Sequence, residues 1–323
     1  MKAFALALFS AVTAAKTMSQ LDFDFMRYVS EHNKMYGTVE EFSSRQEIFD
    51  NTDNYVRSVN ENPESTHKAG HNKFSDWTWE EYNGLLGLKD MPKTEFEIDF
   101  EEEEEVANLP STWDWRSSGK VTPVKDQGQC GSCWAFSAVE AIESAWMIAG
   151  NAEAIMSPQE LVDCSSSTGN EGCNGGWYFW AYDWLKTNMI ESESDYPYTA
   201  TDDACAYDAT KGITSVASDT RVVGRSANLN AIYKQPVNVA VAAGNNVFRN
   251  YSSGVVTIND DCPTAIDHAI VAVGWGIDMG TEYYIVRNSW GSSWGQDGYI
   301  YLATSGGPKG VCGINQYVYY PNL

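Results

Sequence analysis

The chain has 323 residues, 43% of them apolar and 13% aromatic, with a formal charge of −23. That apolar content can fill a large core and argues against global disorder. A surface this acidic (pI near 4.4) repels phosphate, which excludes nucleic acid as a partner.

In chain order, "MKAFALALFSAVTAAK" comes first: one early Lys, an apolar run, then small residues. This is the pattern of a secretory signal peptide over residues 1–15, ending near Ala14 or Ala15. The run is too short to span a bilayer, so no membrane anchoring is expected. Entry to the secretory route sends the chain to a lysosome-like vacuole or the exterior, where disulfides persist. Seven cysteines follow, all after residue 129. An odd number in an oxidising compartment leaves one thiol free unless a second chain pairs with it.

Residues 16–108 are polar and charged. Phe42, Arg45, Phe49, Val56 and Asn60 recur at helical steps, as on one face of an amphipathic helix. The glutamate run Glu101–Glu105 reads as an extended, solvated linker before a region of different composition. Residues 1–108 carry 10 Lys and Arg against 22 Asp and Glu, and residues 109–323 carry 11 against 22. Both parts are therefore acidic, and long-range attraction cannot hold them together.

From Leu109 the pattern changes. "SCWAFSAVEAIESAWMIAGN" reads as a helix capped by Ser132, with Val139, Ile142 and Trp146 on one face and Gly150 ending it. "SPQELVDC" carries a capping box of Ser157 and Glu160, with Pro158 at the first helical position. "GGWYFWAYDWLKTN" is a short helix expected to bury Trp177, Trp180, Ala181 and Trp184. "VNVAVAA", "AIVAVGWG", "EYYIVRNSW" and "GYIYLAT" then read as strands. Helices followed by antiparallel strands give an α+β domain of two lobes, with a site expected in the crevice between them.

The chemistry concentrates in "QGQCGSCWAF". A C-x-x-C pair suits a redox dithiol or half a zinc site, but no βαβ unit surrounds it and no second ligand pair completes a site. Cys133 starts a helix, where backbone N–H groups and the helix dipole lower a thiol's pKa; Cys130, in the loop before it, gains less. A thiolate nucleophile needs an acid/base partner. Of the four histidines only His268 lies beyond the linker, at the start of an apolar strand where a polar ring is costly unless used. A hairpin centred on Asp278 sets His268 opposite Asn288, and a two-residue slip would keep them on one face. Asn288 would then orient the imidazole. Gln127 could supply one oxyanion donor and the Cys133 backbone N–H another.

These residues carry a resemblance. "CGSCW" is a local signature of the papain and cathepsin enzymes, and His268 and Asn288 fall at that family's spacing. "CNGGW", "DHAIVAVGWG", "NSWGSSWGQDGYI" and "CGI" agree in order, so residues 109–323 resemble a papain-family cysteine peptidase of the cathepsin L-like group. Residues 16–108 resemble the family's inhibitory propeptide through Glu41, Arg45, Phe49, Val56 and Asn60 and through "GHNKFSD". Thr52 and Val56 depart from the usual Asn and Ile. The fold implied is papain-like: a helical lobe and an antiparallel β-barrel-like lobe behind a helical prodomain that crosses the substrate cleft backwards.

The resemblance also implies disulfides Cys130–Cys173, Cys164–Cys205 and Cys262–Cys312, leaving Cys133 as the odd thiol. Catalytic roles pass to Cys133, His268, Asn288 and Gln127. Substrate-binding roles pass to Gly175, Gly176, Trp177, Tyr178, Ala240, Ile266, Asp267, Ala269, Trp290 and Tyr317. The implied activity is a monomeric endopeptidase that needs neither cofactor nor metal. It is made as a zymogen and prefers apolar residues at P2, two positions before the scissile bond. Separately, protonation of the Glu101–Glu105 run relaxes its self-repulsion, so self-processing is expected at acid pH with a cut between Glu105 and Leu109. The implied partners are protein and peptide substrates, the propeptide itself and cystatin-like inhibitors. Phe74 and Asp76 are the expected anchors of the prosegment on the enzyme, and the sequon at Asn250 is a candidate glycan acceptor. A peptidase-like binding shell is the rival reading, but it requires a missing catalytic residue and all four are present.

Overall fold

The computed structural model describes residues 18–90 and 109–323. The signal segment, the Glu101–Glu105 run and the linker up to the expected processing site lie outside the described residues.

The prosegment folds around two helices, α1 (Gln20–Glu31) and α2 (Val39–Glu61), joined by a small core of Phe25, Tyr28 and Phe49. Ser19 and Asp22 form a capping box on α1, and Thr38 caps α2 by accepting the Glu41 N–H. The expected face of α2 is the one used. Phe49 and Val56 are buried, and the Asn60 amide clamps the Ala69 N–H and C=O (3.1 and 2.9 Å), which sets strand β1 (His67–Ala69). Thr52 is buried and donates to the Ser75 carbonyl at 3.0 Å. Arg45 reaches Glu81 of helix α3 (Trp79–Asn83) at 2.6 Å.

The remainder begins with strand β2 (Trp113–Asp114). Helices α4 (Cys133–Ile148), α5 (Pro158–Cys164) and α6 (Tyr178–Leu185) then build one lobe. The other lobe holds β3 (Ser218–Val222), α7 (Arg225–Lys234), β4 (Val237–Val241), α8 (Asn246–Arg249), β5 (Tyr251–Val256), β6 (His268–Asp278), β7 (Thr281–Arg287), β8 (Tyr299–Ala303) and β9 (Val318–Asn322). The sheet runs β1-β5-β8-β7-β6-β4-β9-β3, with β2 pairing β6. It is an open path with one parallel pair, β5–β8, and its edge strand β1 comes from the prosegment. Asn238 on β4 ties the lobes: it donates to the Ser137 carbonyl on α4 (2.7 Å) and accepts from Tyr182 on α6 (2.5 Å).

Several sequence expectations need correction. Helix α4 is buried almost all round, not along one stripe, because it lies between α6 and the sheet. Ser132 sits at its N-cap position without making a side-chain cap. Ser157 does cap α5, but Glu160 turns away to accept the Glu191 N–H (2.6 Å), so no capping box closes. On α6, Trp180 is only half-buried, while Tyr178, Tyr182 and Leu185 are fully buried.

The hairpin register also differs. Its loop is Met279-Gly280, both at positive φ, as a two-residue turn with right-handed strand twist requires. Trp275 therefore faces Tyr284, three residues past the expected partner. A bulge between Ala272 and Gly274 absorbs one residue, so Val271 faces Arg287, two past expectation. Only that bulge restores the parity that keeps His268 and Asn288 on a common face.

Candidate active site

Cys133 is the first residue of α4 and is fully buried. The three disulfides pair Cys130 with Cys173, Cys164 with Cys205 and Cys262 with Cys312, leaving Cys133 as the free thiol. His268 opens β6, also fully buried, and its Nε2 lies 2.9 Å from Asn288 Oδ1. A carbonyl oxygen only accepts, so Nε2 carries the proton and Nδ1 is the basic nitrogen. Nδ1 makes no hydrogen bond among the described residues. Trp290 stacks on the imidazole at 4.7 Å and shields the His268–Asn288 bond from water.

Gln127 is fully buried and held on several sides. Its Oε1 accepts from Ser289 Oγ (2.7 Å), its N–H donates to the Ser289 carbonyl (2.9 Å), and Nε2 donates to the Cys130 carbonyl (2.8 Å). The second Nε2 proton goes to the carbonyl of Leu85, 2.9 Å away, in the prosegment.

Leu85 begins a stretch of prosegment laid along the whole site. Gly87 offers its N–H to the Cys133 sulfur, which also takes the N–H groups of Ala269 and Trp134. The Gly87 carbonyl accepts from the Gly176 N–H (2.8 Å), and the Leu88 N–H donates to the Asp267 carbonyl (3.2 Å). The Lys89 carbonyl accepts from Trp177 Nε1 (3.0 Å). At Gly87 there is no room for more than hydrogen: a Cβ would sit 1.8 Å from the Gly131 carbonyl oxygen. A Cβ on Gly175, at φ 108°, would sit 2.7 Å from the Gly87 carbonyl oxygen.

Burial under this stretch outweighs the helix start. The Cys133 thiol is pushed up to about 11, with the backbone N–H groups only partly compensating. Burial also pushes His268 down to about 4 against the Asn288 bond. The expected lowering at Cys133 is therefore absent while this stretch covers it, and both shifts favour the neutral thiol and the neutral imidazole.

The other sequence candidates gather beside Cys133. Trp177, Tyr178, Ala240, Ala269 and Tyr317 belong to one apolar cluster, against which Ile266 and prosegment Leu88 pack. Tyr178 donates to the Tyr317 carbonyl at 2.6 Å, and the Arg221 guanidinium lies 5.5 Å from the Tyr317 ring. The Asp267 carboxylate accepts from the Ala243 and Gly244 N–H groups (2.7 and 3.0 Å), fixing the turn below the cleft.

Two candidates stand elsewhere. Asn250 is buried, its Nδ2 donates to the Asn246 carbonyl, and its own carbonyl accepts from the prosegment Gly70 N–H. Asp76 is buried within the prosegment itself, accepting from Tyr28 (2.6 Å), Lys34 (2.6 Å) and Tyr36 (2.9 Å); it does not anchor on the enzyme. Phe74 does, packing edge-on to Trp290. Sequence reasoning missed Arg249, a buried cation whose Nη2 holds the Phe74 and Trp77 carbonyls (2.5 and 2.6 Å). It also missed the cleft-crossing "LLGLK", whose signal was a lone glycine amid leucines.

Residues 109–322 match the family described as "Papain family cysteine protease", and residues 25–82 match the "Cathepsin propeptide inhibitor domain (I29)". The chain belongs to the papain family of cysteine proteases. It is 35% identical to "Digestive cysteine proteinase 2" of Homarus americanus, over 91% of this chain and 93% of that one. It is 34% identical to the "Cathepsin L-like proteinase" of Phaedon cochleariae, over 99% and 98%. The solved digestive procathepsin L 3 of Tenebrio molitor larval midgut superposes with a TM-score of 0.81 at 32% identity, covering 94% of this chain and all of that one. The papain-family chain described here is thus a cysteine-type peptidase joined to its inhibitory prosegment.

Proposed function

We propose that the chain is an endopeptidase in which Cys133 is the nucleophile, His268 the acid and base, and Asn288 the group orienting His268. The Cys133 sulfur, having given its proton to His268 Nδ1, attacks the scissile carbonyl carbon. Gln127 Nε2 and the Cys133 N–H receive the developing oxyanion. Collapse breaks the C–N bond as His268 protonates the leaving amine. Water, deprotonated by His268, then hydrolyses the thioester and returns the thiol.

One observation carries this reading: the prosegment covers the nucleophile, the amide donor and the apolar surface at once, with Leu85 on Gln127, Gly87 on Cys133 and Leu88 on the apolar cluster. A segment that inhibits by covering the site marks where a substrate lies. Leu88 on the Trp177–Tyr317 cluster supports a preference for Leu, Val or Phe at P2, and Arg221 behind Tyr317 disfavours a basic residue there. No helix among the described residues is long and apolar enough to cross a membrane, and three disulfides suit a vacuolar or extracellular destination.

Activation is assigned to acid pH with a cut between Glu105 and Leu109. Its support lies in two half-buried histidines of the prosegment: partial burial holds both His32 and His71 below the ordinary value. The test uses the processed enzyme. Cys133→Ala is expected to abolish peptide hydrolysis with the fold intact, and a peptide library is expected to show apolar residues at P2 with internal cleavage. Hydrolysis surviving in the variant, or dominant Arg at P2, would overturn the reading.

A further inference from the structure

The N-cap serine of α4 is fully buried yet caps nothing. Its hydroxyl lies 2.6 Å from the Tyr198 hydroxyl, which in turn lies 2.7 Å from the Gln127 carbonyl oxygen. A carbonyl oxygen cannot donate, so the tyrosine's single proton goes to Gln127 and Ser132 donates to Tyr198. The result is a directed chain, Ser132 O–H to Tyr198 O–H to Gln127 C=O. Each of its ends lies on the backbone of an expected oxyanion donor: Gln127 itself, and the residue before the Cys133 N–H.

Tyr198 is well placed to hold such a chain still. Its ring packs edge-on to Phe136 of α4 at 4.7 Å, and its N–H donates to Glu193 at 2.9 Å. Its neighbours are lashed to α5. Ser157 donates to the Tyr196 carbonyl (2.6 Å), Tyr196 donates to Asp163 (2.9 Å), and the Thr199 N–H donates to Gln159 (2.9 Å). Burial pushes the phenol's ionisation well up, so the hydroxyl remains a donor at working pH. Ser289 already fixes the Gln127 side-chain amide from the opposite side.

We propose that Tyr198 is a positioning residue that sets the distance between the two oxyanion donors, by bridging the Gln127 loop to the start of α4. The proposal rests on the reading of Cys133 and Gln127 given above. Donors matched to the tetrahedral state act there and little on the bound substrate, so loosening their spacing lowers kcat and leaves KM nearly unchanged.

The test uses the processed enzyme with Tyr198→Phe, Ser132→Ala and the double variant. Three quantities are read: kcat and KM on a peptide substrate, the affinity of a peptide aldehyde whose thiol adduct carries the oxyanion, and the rate of alkylation by iodoacetamide, which forms none. Tyr198→Phe is expected to lose roughly tenfold in kcat, less than the loss from deleting a donor outright. Aldehyde affinity should fall by the same factor, with KM and the alkylation rate unchanged. Ser132→Ala should move the same quantities, and the double variant should lose no more than the larger single loss, since both cut one chain. Full kcat and aldehyde affinity in either single variant would overturn the proposal. So would alkylation slowed as much as hydrolysis, which would place the effect on the thiol. Should Tyr198→Phe fail to fold, Ser132→Ala decides by the same criteria. Cys133→Ala is run alongside: hydrolysis surviving there would overturn the nucleophile assignment itself, and this proposal with it.

Discussion

Residues 18–90 hold their helices together with Phe25, Tyr28 and Phe49, whereas residues 109–323 carry three disulfides and two large buried clusters spanning the lobes. The later part of the prosegment does not stand on its own core. Phe74, Tyr82 and Leu85 are buried within the protease's cluster, and β1 completes the protease's sheet. The difference teaches how a removable inhibitor is built: one end packs on a small core of its own, and the other borrows its burial from the enzyme it covers.

Particular groups in the two regions respond to acid with opposite signs. His71 stacks on Phe49 at 4.3 Å, with Asp53 at 3.2 Å and with Asp24 and Arg27 nearby; His32 packs on Tyr28 near Glu31, Lys34 and Asp76. Burial lowers both histidines, so the unfolded segment takes up protons first. Their stabilising contribution is present above about pH 6.5 and is lost as pH falls toward the lowered folded value. In the protease, burial pushes Glu160 up to about 8, against the Glu191 N–H that it accepts. There the folded state binds the proton more tightly, so the cost of burying that carboxyl is present at high pH and disappears as pH falls through about 8 toward the ordinary carboxyl range. At these groups acid costs the prosegment at His32 and His71 and relieves the protease at Glu160, while His268, held down to about 4 by burial, costs the protease only at lower pH still.

The largest expected effect lies in the protease. Cys130→Ala removes the disulfide to Cys173 that pins the Gln127–Cys133 loop, and should cost about 2–5 kcal/mol in denaturant unfolding of the processed enzyme. A smaller loss than that would mean the buried clusters alone hold this loop. Next comes Gly87→Ala in the zymogen. Its Cβ would meet the rigid Gly131 carbonyl, so the cleft segment must lift, losing the bonds to Gly176, Asp267 and Gln127. At about 1 kcal/mol each, inhibition should weaken by roughly two orders of magnitude. Continuous hydrolysis assays at neutral pH measure it; full inhibition retained would show that helices α1 and α2, not the cleft segment, do the inhibiting.

How much of this was legible in the sequence follows the same division. The motifs around Cys133, His268 and Asn288 are short-range, each tied to one local geometry, and the sequence located them. Even the hairpin argument reached the right face, although the bulge at Val273 and the Met279-Gly280 turn shifted its register by two to three residues. The electrostatic state of Cys133 was not legible. It depends on Gly87 lying across it, a contact made 46 residues away along the chain. Asp76 misled for a related reason: an acid in a motif tells that it is paired, not with which side of the interface. Ser132 read as a helix cap because nothing local reveals that Tyr198, in a distant loop, takes its hydroxyl.

The pH contrast can be sharpened with His71→Phe, which keeps an aromatic ring against Phe49 and removes the proton-binding group. Asp53 retains Arg57 at 2.7 Å, so no carboxylate is stranded. The midpoint of prosegment release along a pH series should move lower, because one source of acid instability is gone. The neutral-pH zymogen should change little. An unchanged midpoint would remove His71 from the account of activation and leave His32 and the linker carboxylates to carry it.

The smallest effect tests what charge contributes between two acidic partners. Lys89 pairs with Glu171 at 2.5 Å and Lys73 with Asp126 at 2.6 Å, so opposite charges do meet across the interface despite the net repulsion. The Lys89 and Glu171 side chains are 30% and 59% exposed, where water screens the attraction and ordering two long side chains offsets it. Such pairs are worth about 0–1 kcal/mol. Lys89→Ala should therefore weaken inhibition about fivefold at most, since the Lys89 carbonyl keeps its bond to Trp177 and Leu88 keeps its apolar seat. Inhibition constants for the wild-type and variant prosegments, measured at low and high ionic strength, decide the matter. The difference should shrink as salt is added. A loss well beyond tenfold, or one that salt does not touch, would mean the prosegment is held by paired charge rather than by the buried backbone and aromatic contacts along the cleft.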